Sequence, residues 1–267
     1  MSSAITCPHQ DIYINHPQGQ IFSRIWTPLN YQASLAPIIL LHDSLGCVAV
    51  WRDFPMQLAI CSGRQVIAYD RLGFGQSSAR LKKIAFSFIE DEAKNDFALV
   101  KQQLNIKEFV VLGHSVGGSM AVHCAASYPQ HCQGLITIAA QAFTETNTRV
   151  GLQQAKIQFA EPQQFARLTK YHGQKSAWVL SSWLDTWLDA AFDHWSLAEV
   201  LPKVLCSTLA IHGQFDEYGS MAHPKTIAQS VSGQGRWWIV EGAYHVPHRE
   251  KNEEVMTLLI DWIKKLN

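Results

Sequence analysis

Five short, nearly continuous apolar runs limit this chain most: Pro37–Leu41, Gln65–Tyr69, Phe109–Leu112, Leu135–Ala139 and Thr208–Ile211. Each is too short for a stable helix. A strand with one face in water alternates apolar and polar residues, whereas a strand covered on both faces reads as an apolar run. Helical periodicity fills the intervals. Ala93, Phe97, Val100 and Leu104 recur on one face at steps of three and four, and Val255, Leu258, Leu259, Trp262, Ile263 and Leu266 make a wide stripe near the end. Residues 10–16 and 19–27 read as an opening hairpin that turns around Pro17-Gln18-Gly19. The alternation predicts an α/β fold, a mostly parallel sheet with helices on both faces. Residues 142–203 break it. They are rich in Gln, Trp and Leu, carry no clear strand, and read as an inserted helical subdomain between core segments 1–141 and 204–267.

Composition supports a large core. A chain of 30.0 kDa buries roughly 73% of its unfolded surface, and the charged share is 16% beside 47% apolar. Lys plus Arg equals Asp plus Glu at 22 each, and Lys82-Lys83 and Lys264-Lys265 are isolated pairs. That balance argues against a nucleic-acid partner, which needs a clustered cationic surplus, and against a polybasic membrane anchor. No segment approaches the roughly 18 apolar residues of a membrane-spanning helix. Met1–Gln20 lacks the cationic-then-apolar pattern of a secretory signal. The six cysteines, at 7, 47, 61, 124, 132 and 206, form no C-x-x-C pair and read as free thiols of a reducing cytoplasm.

Gly113-His114-Ser115-Val116-Gly117 is a G-x-S-x-G pentapeptide. It follows the apolar run ending at Leu112 and precedes a helical pattern, Val116–Ser127, that stops before Pro129. This strand–turn–helix setting lifts the motif above chance. On so sharp a turn the Ser115 hydroxyl projects from the sheet edge, the glycines let neighbouring backbone pass close, and the helix aims its positive end at the site.

With these residues the chain resembles the α/β-hydrolase superfamily over nearly all its length outside 142–203. The matching pieces are Leu41-His42-Asp43-Ser44-Leu45-Gly46, Asp70-Arg71-Leu72-Gly73-Phe74-Gly75-Gln76-Ser77, the pentapeptide, His212-Gly213-Gln214-Phe215-Asp216 and Gly242-Ala243-Tyr244-His245. The resemblance implies about eight mostly parallel strands, with a helical lid inserted after the sixth. It also implies the order serine, acid, histidine. Ser115 then stands as nucleophile and His245, after the strand-like Arg236–Glu241, as base. His248 is a nearby rival, and His114 is expected to point away from the serine. Asp216, just past Thr208–His212, takes the place of the acid, with Glu145 and Glu217 as alternatives.

The resemblance further implies an oxyanion hole from the backbone N–H groups of Ser44 and Val116. Here the chain departs from the pattern. Relatives usually carry His-Gly at the start of that loop; this chain has His42-Asp43. Asp43 then either brings charge near the site or binds backbone or Arg71. Gly73-Phe74-Gly75 lacks the third glycine of a dinucleotide loop and reads as a structural turn.

No histidine or cysteine spacing marks a metal site, and no cofactor is expected. Trp178, Trp183, Trp187 and Trp195 in the insertion read mainly as packing, with the remainder forming an apolar wall over Ser115. Together these readings predict a serine hydrolase of carboxylic esters of small, largely apolar substrates. Two alternatives stand beside it: a carbon–carbon bond hydrolase of the meta-cleavage-product type, and a slow-turnover ligand-binding receptor on the same fold.

Overall fold

The computed structural model describes residues 7–266; Met1–Thr6 and Asn267, which open and close the predicted core segments, lie outside the described residues. In chain order come β1 (His9–His16), β2 (Gly19–Trp26), β3 (Ile38–Leu41), α1 (Phe54–Ser62), β4 (Val66–Tyr69), α2 (Phe88–Lys94), α3 (Asp96–Gln103), β5 (Phe109–His114), α4 (Val116–Ser127) and β6 (Cys132–Ile138). Then follow α5 (Thr146–Ala160), α6 (Pro162–His172), α7 (Ser176–Trp187), β7 (Ser207–Gly213), α8 (Ala222–Ser230), β8 (Gly235–Val240), α9 (Pro247–Glu250) and α10 (Asn252–Ile263). The strands make one sheet of order β1-β2-β4-β3-β5-β6-β7-β8. The β1–β2 and β2–β4 pairs are antiparallel and the others parallel.

All five apolar runs lie in central strands, for the reason their composition gives. Every residue of β3, β4 and β5 is buried. Ile38 and Leu40 join one core with Val66, Ala68, Val110 and Leu112, while Ile39 and Leu41 join the other with Ile67, Tyr69, Phe109 and Val111. Leu58 of α1 and Val255 and Leu259 of α10 close the first core; Ala93, Phe97, Met120 and Ala121 close the second. The period-two alternation of a strand is present but hidden, because both faces are apolar. The opening hairpin forms as expected, with His16 paired to Gly19 across the turn.

Two details differ from the sequence reading. The stripe Ala93–Phe97–Val100 is buried, but its helix breaks at Asn95 (φ −108, ψ −97) into α2 and α3. At the start of α3, the Asp96 carboxylate accepts the Leu72 N–H at 2.7 Å. Strand β6 begins at Cys132, three residues before the apolar run, and stops at Ile138 because Ala139 turns to φ 52.

Among the described residues, 142–203 carries helices α5–α7, short 3₁₀ turns and a single isolated bridge, Phe143–Ser196. Polar groups tie it to the sheet. Nε2 of His172 donates to Leu45 O at 2.9 Å and its Nδ1 accepts the Gly75 N–H at 2.9 Å. Lys175 Nζ donates to the carbonyls of Phe74, Gly75 and Ser77. Trp178 packs edge-on to Phe74 at 5.6 Å. The turn that receives these contacts is held by Asp70, whose carboxylate accepts the N–H groups of Val48 and Gln76, both at 2.6 Å. Gly73-Phe74-Gly75 thus belongs to that structural turn.

Glu92 of α2 is buried against the Tyr69 hydroxyl, which donates to it. Burial, helped by the charge of Asp96, pushes its carboxyl up to about 8 against the partial relief from Arg71 and Tyr69. The folded chain therefore holds this proton more tightly than the unfolded chain. The stabilisation is full below the ordinary value of 4.5 and is lost as pH rises to about 8. Melting temperatures measured across that window are expected to fall with pH in the native protein and to fall less in Glu92→Gln. An identical slope in the variant would contradict the assignment.

Candidate active site

The chain runs from β3 outward to β4 and back across to β5, so the carboxyl ends of β4-β3-β5 open a crevice, where α/β sheets collect functional residues. The segments after β3, β5, β6, β7 and β8 carry Ser44, Ser115, Gln141, Asp216 and His245 to that edge.

Ser115 sits at φ 55, ψ −128, a strained conformation for a residue with a side chain. Tight backbone packing enforces the turn. A Cβ on Gly113 would lie 2.0 Å from Gly117 O, and one on Gly117 would lie 2.2 Å from Leu41 O. Glycine alone lets β3, β5 and the start of α4 touch here. The result projects the Ser115 hydroxyl towards His245 Nε2 at 3.0 Å.

On its other side, His245 Nδ1 donates to both oxygens of Asp216, each at 2.9 Å. Asp216 is no exposed loop carboxylate: its side chain is fully buried. It also accepts the Tyr218 N–H at 2.8 Å and faces His212 Nε2 at 3.2 Å. Burial disfavours the imidazolium of His245, but the charge and hydrogen bond of Asp216 outweigh it and raise the pKa above the ordinary value. Burial likewise disfavours the Asp216 carboxylate, yet His245 and His212 hold it below the usual range. An imidazole so placed takes a proton from a hydroxyl and is stabilised when charged.

The rival residues go elsewhere. Glu145 accepts from the Ser220 N–H at 2.6 Å and from His223 Nε2 at 3.1 Å. Glu217 is exposed. His248 is buried against Trp51 and Phe54, with ring centroids 5.3 and 5.1 Å away. His114 belongs to the lining of the same pocket as Ser115, and its ring bonds to other groups, with Nε2 donating to His245 O at 2.8 Å and Nδ1 3.2 Å from Asp43 Oδ2. Contacts 71 and 131 residues away in sequence set its orientation.

In the loop after β3, the Asp43 side chain accepts the Leu45 N–H at 2.9 Å. Arg71 donates instead to the Asp43 backbone oxygen at 2.8 Å. Both expectations for Asp43 therefore hold in part: the carboxylate binds backbone, and it also lines the pocket. Ser44 lines the pocket beside it, and Val116 is the first residue of α4, whose opening N–H groups have no intrahelical acceptor.

The cavity over Ser115 measures about 170 Å³. Leu45, Leu152, Trp183, Trp187 and Val246 form its apolar walls, and Gln141, Thr148 and Tyr218 add polar groups. Trp178 and Trp195 serve packing, against Phe74 and Phe192. Sequence reasoning missed Gln141, Leu152 and Tyr218. Gln141 had a signal, because it follows β6 as Ser44 follows β3. Among the described residues no group of three or more His, Cys, Asp or Glu is arranged to hold a metal ion, and no helix is long and apolar enough to cross a membrane.

Residues 36–189 match the family model for the alpha/beta hydrolase fold. The serine hydrolase BPHL of Mus musculus is 27% identical over 236 residues, covering 85% of this chain and 79% of that protein. The 1-acylglycerol-3-phosphate O-acyltransferase ABHD5 of Homo sapiens is 30% identical over 153 residues, which span 54% of this chain and 41% of that relative. Among solved structures, a putative lipase (lip1) from Acinetobacter baumannii AYE superposes with a TM-score of 0.77 at 15% identity, over 97% of this chain and 92% of that one.

The buried ring of His245 generates a direct prediction. Its titration, followed by NMR, is expected above the ordinary histidine value of 6.5 in the native protein. In Asp216→Asn it is expected to move down, since burial then acts without the carboxylate. An unmoved titration would show that Asp216 does not set the charge of this ring.

Proposed function

The chain belongs to the α/β-hydrolase fold family, and from that premise we propose that it is a serine hydrolase cleaving carboxylic esters of small, largely apolar substrates. The observation that carries this reading is the 3.0 Å contact of Ser115 Oγ with His245 Nε2 at a strained turn facing a small apolar cavity. Ser115 attacks the ester carbonyl while His245 takes its proton. The oxyanion is held by the N–H groups of Ser44 and Val116, the second backed by the positive end of α4. His245 then protonates the departing alcohol, and the acyl group stays on Ser115. A water deprotonated by His245 releases the acid. Asp216 keeps Nδ1 protonated and stabilises the imidazolium in both halves. Each step moves a proton or an acyl group among side chains, substrate and water, so the chemistry calls for no cofactor.

Cavity size supports a small substrate. About 170 Å³ compares with an engineered cavity of about 150 Å³ that takes up benzene. Residues 142–203 act in this reading as a lid on a core formed by 1–141 and 204–267. Its Trp183 and Trp187 contribute an apolar wall of the pocket that keeps water away from the acyl group. The substrate is then the partner, in a cytoplasmic enzyme.

Release of p-nitrophenol from esters of increasing acyl length tests the reading. Turnover is expected to be fastest for the shortest acyl chains and to fall to background in Ser115→Ala. Asp216→Asn is expected to lower kcat by about 10⁴-fold. Undiminished turnover in Ser115→Ala would remove the nucleophile assignment, and the proposal with it.

A further inference from the structure

One pair beside the site, a buried histidine and a partly buried carboxylate, has no part in the steps above. Asp43 Oδ2 lies 3.2 Å from Nδ1 of His114, and Nε2 of His114 lies 2.8 Å from the backbone oxygen of His245. A carbonyl oxygen can only accept, so Nε2 carries a hydrogen. An ionised carboxylate can only accept as well, so Nδ1 must carry one too. The pair therefore holds one proton more than a carboxylate beside a neutral imidazole. Burial works against the Asp43 charge, but the hydrogen bond and charge of His114 pull the carboxyl well below the usual range. The geometry leaves this proton in the contact between Asp43 Oδ2 and His114 Nδ1.

The two further histidines packed around the pair are held neutral. Nδ1 of His42 lies 2.8 Å from Asp43 O and its Nε2 accepts the Arg71 N–H at 3.1 Å, a neutral tautomer. Burial also holds the His42 pKa well below the ordinary value. His248, 4.7 Å from His114 by ring centroids, is kept neutral by burial in the same way. Trp51 packs edge-on at 6.3 Å, and the Arg71 guanidinium is engaged with the Asp43 backbone oxygen. His245, 5.2 Å away, is the ring that gains charge during the proposed reaction, and Asp43 is among the charges that favour it.

We propose that Asp43 and His114 form a charged positioning pair that clamps the loop carrying the Ser44 N–H to the loop carrying His245. The pair rests on the roles given to Ser115, His245 and Ser44 above. It ties three segments together through side chains: the loop after β3, the end of β5 and the loop after β8. Asp43 Oδ1 sets the first by accepting the Leu45 N–H, and His114 sets the last by donating to His245 O. The glycine that relatives usually carry at this position has no side chain to form either Asp43 bond. An oxyanion donor that drifts from its place weakens transition-state binding more than ground-state binding. The pair should thus act on kcat and leave KM nearly alone.

Two substitutions separate positioning from mere packing. In Asp43→Asn the amide oxygen still accepts the Leu45 N–H, and the amide N–H donates to Nδ1 of a now neutral His114. Every bond survives with one proton fewer. Asp43→Ala removes both bonds. Asp43→Asn is expected to keep kcat within about threefold, and Asp43→Ala to lower it about tenfold to hundredfold with KM within about twofold.

The nitrogen-15 NMR signals of His114 supply a readout that needs no turnover. Both ring nitrogens should be protonated in the native protein, and Nδ1 unprotonated in Asp43→Asn. A singly protonated His114 in the native protein overturns the proposal. So does a kcat in Asp43→Asn as low as in Asp43→Ala, an unchanged kcat in Asp43→Ala, or a loss borne by KM. Should Asp43→Ala fail to melt cooperatively, the native imidazole spectrum decides by itself. A doubly protonated His114 in a protein that turns over no ester would contradict the ester reading and leave the charged pair standing.

Discussion

The site depends on a place where three stretches of backbone touch. The carbonyl of Leu41 at the end of β3 presses on Gly117 in α4, and the carbonyl of Gly117 presses on Gly113 in β5. A methyl group at either glycine would stand within 2.2 Å of the neighbouring carbonyl oxygen. This contact forces Ser115 to a positive φ and points its hydroxyl out of the sheet. It also brings the loop after β3 next to the start of α4, so the two proposed oxyanion donors converge. Strain of this kind costs about 1–3 kcal/mol and persists because the surrounding sheet is buried on both faces.

Around that contact, histidines, backbone N–H groups or a retained proton answer the charge of four carboxylates. Asp216 is ionised against two histidines and a backbone N–H. Asp43 is ionised against His114. Asp70 is braced by two backbone N–H groups that hold the turn receiving Lys175 from the insertion. Glu92, with Asp96 beside it, keeps its proton instead. A buried charge without a partner is costly, so each of these arrangements also holds the loop that supplies its partner.

Much of this was legible in the sequence, and physical reasons divide what was from what was not. The central strands could be read because burial on both faces leaves runs such as Phe109–Leu112. Ser115 could be read from the G-x-S-x-G pentapeptide in its strand–turn–helix setting, and Asp216 and His245 from the order of acid and histidine that the family resemblance implies. The break at Asn95 could not be read, since the apolar period continues across it. Nor could the orientation of His114, which is settled by partners in two distant loops. Two parts of the cavity wall were hidden for the same reason: Leu152 and Tyr218 meet only when the first helix after β6 packs on the loop after β7.

The proposed function turns on Ser115 acting as a nucleophile activated by His245. Intact mass after exposure to a fluorophosphonate, which phosphonylates activated serines, tests it without a choice of substrate. A single adduct is expected on the native protein and none on Ser115→Ala. No adduct on the native protein, or the same adduct on the variant, would contradict it.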